Sequence, residues 1–291
     1  MNFSSPKTVY IIGVIIFFLL VFSLFFNAPD NFPTGIILNI KEGSSLRSVS
    51  KYLEENHIIR SRVLFETFVI IFEGEKVVSG DYLFDNKIPV FEVARRLSKG
   101  ERHLASIKVT IPEGFTILEI SKTFASKLPN FNEDNFLKEA KEGYLFPDTY
   151  FFLTTDNEKD VLLSMGDNFE KKILSIRSEI ISSGKSEKDI IIMASIIEKE
   201  SKGDVDRGFI SGILWKRIAM DMPLQVDADM NTYKTKGLPK NPISNPGLKA
   251  IEAAIHPKSS NYLYYLHDKD GNVHYATTFA EHKLNKFKYL K

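Results

Sequence analysis

Cysteine is absent from the 291-residue chain. That excludes disulfides, a thiol nucleophile and attachment through a lipidated cysteine, without identifying a compartment. Nor is there an excess of either charge. Lys and Arg number 38 against 37 Asp and Glu, a net charge of +1, which gives no reason to invoke nucleic acid. No Gly-rich phosphate loop and no Gly-x-Ser-x-Gly elbow occurs, so nucleotide-binding and serine-hydrolase readings lose support. His256, His267, His274 and His282 show no familiar metal-site spacing and no helical His-x-x-x-His pair, so neither metal nor cofactor is expected. Tryptophan occurs once, at Trp215, which suits a core as readily as a sugar-stacking site. The rest is ordinary for a globular protein, at 43% hydrophobic and 26% charged residues. The length accommodates a membrane anchor and about two domains.

Val9 to Phe26 is an apolar run broken only by Gly13 and Ser23, with no charge. At about 1.5 Å per residue it spans the hydrocarbon core of a bilayer. Lys7 precedes it, and Asn27-Ala28-Pro29-Asp30 follows with an acid and no nearby base, which favours a cytoplasmic N-terminus and an external remainder. A cleaved signal peptide competes with this view. The run exceeds a usual signal core, however, and Phe26 is too large for the −3 position of a cut after Ala28. A retained anchor is therefore expected.

Ile190 to Ser201 is the stretch that carries chemistry. Ser186 with Asp189 three residues on marks a helix start, and Gly203 a stop. With Ser195 as the zero of a helical wheel, Lys188, Lys199 and Lys202 fall within roughly 40° of it and define an expected wet stripe. Glu198 lies at the edge of that stripe. Glu200 falls near 140°, among Ile196, Met193 and Ile197, with no Lys or Arg beside it. A carboxylate so placed should be desolvated, its pKa raised as a general acid working near neutral pH requires. A frayed helix end reaching water is the alternative.

An internal repeat appears at an offset of 71. Ile40-Lys41-Glu42-Gly43-Ser44-Ser45-Leu46 aligns with Ile111-Pro112-Glu113-Gly114-Phe115-Thr116-Ile117, and Val49-Ser50-Lys51 with Ile120-Ser121-Lys122. Each copy reads as a strand, a Glu-Gly turn and a capped amphipathic helix. Further helices are expected at Val90 to Leu97, Phe131 to Ala140, Val161 to Ile181, Gly208 to Ile218, Leu248 to Ile255 and Glu281 to Leu290. A hairpin is expected over Tyr262 to Thr277. Met222 to Gly247 is too polar for core and has the composition of a functional loop. In it Gln225, Asn231 and Tyr233 offer neutral hydrogen bonds suited to sugar hydroxyls and N-acetyl groups. On residue type alone, turn chemistry explains them better, Asn231 above all.

Glu198-Lys199-Glu200-Ser201 after Ala194-Ser195-Ile196-Ile197 resembles the active-site helix of the endolytic murein transglycosylases, the YceG-like family. Matching segments flank it in order: Glu142 to Tyr150, Leu224 to Asp227, Asn231 to Tyr233, Gly237 to Pro239, Pro242 to Gly247 and Ala253 to Pro257. One departure stands out. Relatives carry a longer insert before the Asn-Thr-Tyr segment, whereas here only Ala228, Asp229 and Met230 separate Asp227 from Asn231.

The resemblance implies an α+β fold: a transmembrane anchor (8–28) after a short tail (1–7), a LysM-like α+β region (29–104), a second strand–helix unit (105–140) and a catalytic domain built around a buried helix (141–291). A generic strand–helix unit accounts for each repeat as well as a LysM-like one does. The resemblance further implies cleavage of glycan strands, with peptidoglycan synthases as candidate partners. Glu200 is the expected acid. Glu113, Tyr144, Asp148, Ser201, Gln225, Asn231 and Tyr233 are the candidate substrate-binding residues. A retaining glycosidase needs two carboxylates about 5 Å apart, and Glu198 and Glu200 should point roughly 160° apart on their helix. A single-acid mechanism avoids that need. A non-catalytic, membrane-anchored protein that binds glycan or a synthase is the other reading.

Overall fold

The computed structural model describes residues 6–74, 76–204 and 206–290, leaving aside the side chains of 6 and 18–24. The chain is mixed α+β and forms two compact units, Met1–Ala105 and Ser106–Lys291.

In the first unit the apolar run expected as an anchor lies in helix α1 (Pro6–Phe26). Counted over the described residues alone, no helix is long and apolar enough to cross a membrane. Strand β1 (Ile36–Ile40), helices α2 (Leu46–Glu55) and α3 (Arg62–Glu73), strand β2 (Gly80–Phe84) and helix α4 (Val90–Lys99) follow. The strands pair antiparallel from Ile36↔Phe84 to Ile40↔Gly80. Leu53, Phe65, Val69, Tyr82, Phe84, Val93 and Leu97 form a dry core between sheet and helices. Arg96 is buried with them and donates to the carbonyls of Leu83 (2.7 Å) and Glu101 (3.2 Å), which satisfies its guanidinium.

The second unit opens with the same order: β3 (Ser106–Thr110), α5 (Ile117–Ala125), α6 (Glu133–Glu139) and β4 (Thr149–Leu153). The repeat is thus a complete β-α-α-β motif in both copies. Gly43 and Gly114 take left-handed φ values of 74° and 79° at equivalent turn positions, where a Cβ would be strained. Ser45 and Thr116 cap the helices that follow. The second copy runs past residue 140, where the sequence reading ends it, because β3 pairs with β4 as far as Ser106↔Leu153. Phe152 turns into the core while Phe151 faces solvent, the alternation of a half-buried strand.

Helices α7 (Glu158–Ser182), α8 (Glu187–Glu200) and α9 (Arg207–Ala219), a 3₁₀ turn (Met230–Tyr233), helix α10 (Leu248–Ile255), a hairpin of β5 (Tyr264–His267) and β6 (Val273–Ala276), and helix α11 (Phe279–Tyr289) complete the unit. Helix α8 is its centre. Every residue from Ile190 to Ile197 is buried, against Phe169 and Ile173 of α7, Ile210 and Leu214 of α9, and Ala250, Ile251 and Ala254 of α10.

The wet stripe expected along α8 is therefore confined to its ends, at Lys188 and Lys199. At Ser195 the segment 242–246 covers the helix and satisfies its polar atoms. Ile243 N–H donates to Ser195 Oγ (3.0 Å), and Ser244 Oγ donates to the Ser195 carbonyl (3.2 Å). A helix buried on every side has no solvent face for a hydrophilic residue to mark.

Candidate active site

Glu200 is the last residue of α8, and Ser201 caps the helix. Its half-buried carboxyl meets the loop after α9 and strand β5. The Tyr265 hydroxyl donates to Oε2 at 3.1 Å, and the main-chain amides of Ala228 and Asp227 approach the same carboxyl. Burial pushes Glu200 above its ordinary value. The Asp227 charge adds to that, and the Tyr265 hydroxyl and the two amides oppose it without cancelling it. The C-terminal end of a helix also disfavours an added negative charge. Glu200 is thus a carboxylic acid held protonated to higher pH than a free glutamate, yet provided with donors for its ionised form.

Around it a second layer fixes the loop. Tyr233 donates to Asp227 Oδ1 at 2.5 Å, and that bond, with burial, raises its phenol to about 12. Arg217, buried in α9, donates to the Leu224 carbonyl (3.0 Å) and to Gln225 Oε1 (2.5 Å). Its guanidinium lies 5.2 Å from the Tyr264 ring centroid. Gln225 is held at φ 54°, and its amide donates to the Thr232 carbonyl at 3.1 Å.

Glu198 belongs to a different environment. Its side chain is only 6% exposed and pairs with Arg207 Nη2 at 3.0 Å, while the Gly247 amide donates to its other oxygen at 2.9 Å. It is not at the edge of a wet face. The helix starts of α9 and α10 meet there, and each needs an acceptor. Glu113 joins this group, 3.8 Å from Arg207, its carboxyl raised first by burial and then by Glu198. Gly247 leaves the space that the Glu113 carboxyl occupies. Two residues apart on one helix, Glu198 and Glu200 thus have separate partners.

The remaining candidates divide. Gln225 and Tyr233 stand in the loop beside Glu200. Asn231 occupies the same loop, but its amide and side chain both bond Asp229 Oδ1 at 3.0 Å, turn chemistry that caps the 3₁₀ segment. Ser201 Oγ is buried and has no hydrogen-bond partner among the described residues. Tyr144 packs edge-on to Phe169, 5.2 Å between centroids. Burial raises its phenol, with a contribution from Glu187 at the far end of α8, about 20 Å along the axis from Glu200. Asp148 closes a turn, accepting from Thr149 N–H (2.7 Å) and Asn168 Nδ2 (3.2 Å). His256, His267 and His274 each pair with one carboxylate, of Glu179, Asp206 and Asp268 respectively. Sequence reasoning missed Tyr265 and Arg217. Strand alternation would have put Tyr265 and His267 on one face of β5, but nothing in the sequence tells which face meets Glu200.

A carboxyl raised by burial at a helix end, beside a tyrosine and a polar loop, is the candidate site that this α+β scaffold presents. Comparison with known proteins identifies the scaffold. The model of the YceG-like family matches residues 38–231 and 229–288, and the chain belongs to that family. It is 26% identical over 88% of its length to a Bacillus subtilis protein named endolytic murein transglycosylase, 85% of which is covered. A Streptococcus pneumoniae protein of the same name is 24% identical, with 86% of this chain and 57% of that protein aligned. The crystal structure of a YceG-like protein from Listeria monocytogenes superposes with a TM-score of 0.57 at 27% identity, covering 86% of this chain and 98% of that one.

Proposed function

We propose that this chain is a membrane-anchored lytic transglycosylase. It cuts the β-1,4 bond between N-acetylmuramic acid and N-acetylglucosamine within peptidoglycan strands. The observation that carries the reading is the environment of Glu200, a carboxyl raised by burial with donors ready for its charged form. Family membership and the names of the Bacillus and Streptococcus relatives support the substrate.

Glu200 protonates the glycosidic oxygen as the bond to the muramic C1 breaks, and becomes a carboxylate. The C6 hydroxyl of the same sugar then attacks C1, giving its proton to Glu200. A 1,6-anhydro ring closes, the acid is regenerated and no water is consumed. The sugar's acetamido oxygen is suited to stabilise the positive C1 between the steps. Glu198, engaged with Arg207 and the start of α10, takes no part. The apolar run of α1 holds the chain in the cytoplasmic membrane with the remainder outside, and the first β-α-α-β copy binds glycan in the manner of a LysM module.

Mass spectrometry of digested strands in ¹⁸O-labelled water tests this. The expected ends are 1,6-anhydromuramic acid, lighter than hydrolytic ends by one water and free of label. Glu200→Gln should cut slower by about 10² to 10⁴. Labelled reducing ends, or a Glu200→Gln enzyme of undiminished rate, would overturn the reading.

A further inference from the structure

We infer that Tyr265 is the positioning residue of the Glu200 acid–base, fixing which carboxyl oxygen carries the transferable proton; this rests on Glu200 having the role proposed above. The hydroxyl of Tyr265, on β5, donates to Glu200 Oε2 at 3.1 Å. An oxygen that accepts a hydrogen bond is the poorer site for the acid's own proton. The proton is therefore directed to Oε1, and a substrate oxygen must approach from that side. When the proton leaves, the same hydroxyl is already aimed at the carboxylate, so no reorientation is needed between the acid step and the base step.

The charged and titratable groups around this pair come from three elements. The loop after α9 brings Asp227, whose negative charge opposes ionisation of Glu200. The 3₁₀ turn brings Tyr233, committed to Asp227. Helix α9 brings Arg217, whose positive charge acts on Tyr265 and Tyr233 while its hydrogen bonds go to Leu224 and Gln225. Tyr265 is the one side chain among them that hydrogen-bonds Glu200, and burial beside that carboxylate keeps its phenol protonated well beyond its ordinary range. It therefore remains a donor at any pH at which the enzyme works.

The inference makes opposite predictions for two substitutions of nearly equal size. In Tyr265→Phe the donor is gone, the carboxylate loses support, and the alkaline limb of the rate profile should move up by about one pH unit. Replacing Tyr265 by 2,3-difluorotyrosine leaves the ring in place with a more acidic hydroxyl. The stronger donor should move the same limb down. The assay is anhydro-product release from purified glycan strands by the full chain between pH 4 and 9, with KM expected within about twofold and kcat of the Phe variant down about tenfold. An unmoved limb in both variants, or shifts of the same sign, would overturn the role of Tyr265. Should Tyr265→Phe fail to fold, the fluorinated protein still decides by the sign of its shift. An undiminished rate in Glu200→Gln would strike at the function itself and not at this inference alone.

Discussion

Glu198 and Glu200 show how little a residue's type says about its work. One carboxylate pairs with Arg207 and caps the start of α10, and the other is raised by burial at the helix end. Their stabilities should depend on charge in opposite senses. The Glu200 value is raised in the fold, so between the unfolded value near 4.5 and the raised one the native state binds more protons, and stability falls as pH rises. Glu200→Gln removes that fall. Urea melts should show the variant gaining on the parent protein from pH 4 upward and levelling off above the raised value. Glu198→Gln, by contrast, should lose about 1 to 3 kcal/mol at neutral pH, because a mostly buried guanidinium loses the most buried of its three carboxylate partners, Asp204 and Glu113 being more exposed. Its remaining folded fraction should keep its specific activity. At Glu200 only the desolvation was legible in the sequence, from the apolar run that precedes it on the helix. The burial of Glu198 and Ser195 was not, since it depends on a segment some fifty residues away folding over them.

At the scale of elements, the amphipathic helices α2, α4, α5, α9 and α10 and the β5–β6 hairpin were readable from period and caps. Helix α3 offers no period to read. Its run from Phe68 to Phe72 is apolar at every position, which hides the helical period that exposed residues normally reveal. Helix α8 departs from expectation for a related reason, since it has a solvent face only at its ends. The segment that covers α8 is tied to the second β-α-α-β copy by the buried Asn245. Its Oδ1 accepts from Gly143 N–H and Leu145 N–H, both at 3.0 Å, and its Nδ2 donates to the Phe115 carbonyl (3.0 Å) and to Glu142 Oε1 (2.7 Å). Asn245→Ala orphans two buried amides and takes one donor each from the Phe115 carbonyl and Glu142, so chemical denaturation should register a loss of about 3 to 5 kcal/mol. Asn245→Asp should recover little, as it would set a carboxylate against Glu142, itself raised by burial.

For the whole molecule, the two β-α-α-β copies share a plan and differ in company. The first has its own core and lies within Met1–Ala105, while the second is built into the unit that carries Glu200. Residues 106–291 should therefore fold alone, giving a single cooperative thermal transition and retaining Glu200-dependent cleavage. A fragment starting at 141 should not, because β4 would lack its partner β3 and Asn245 would lack Phe115. Circular dichroism melts of the two fragments separate these outcomes. The repeat at an offset of 71 was visible in the sequence. That its second copy is built into the unit that carries Glu200 was not, because the bonds responsible join residues 100 to 130 positions apart.

Those long separations also set an order of events during synthesis. The first copy closes on contacts made within residues 36–84 and can be complete soon after they emerge. The Glu142–Leu145 turn and the Phe115 carbonyl, by contrast, stay without their partner until Asn245 has been made. Closing loops of that length is slow. Until then the apolar flanks of α8 have no cover from α10, and at about 5 to 20 residues per second that interval lasts several seconds. A nascent chain halted before Asn245 would present an open, protease-sensitive Glu200 helix, and one halted beyond α10 a closed one.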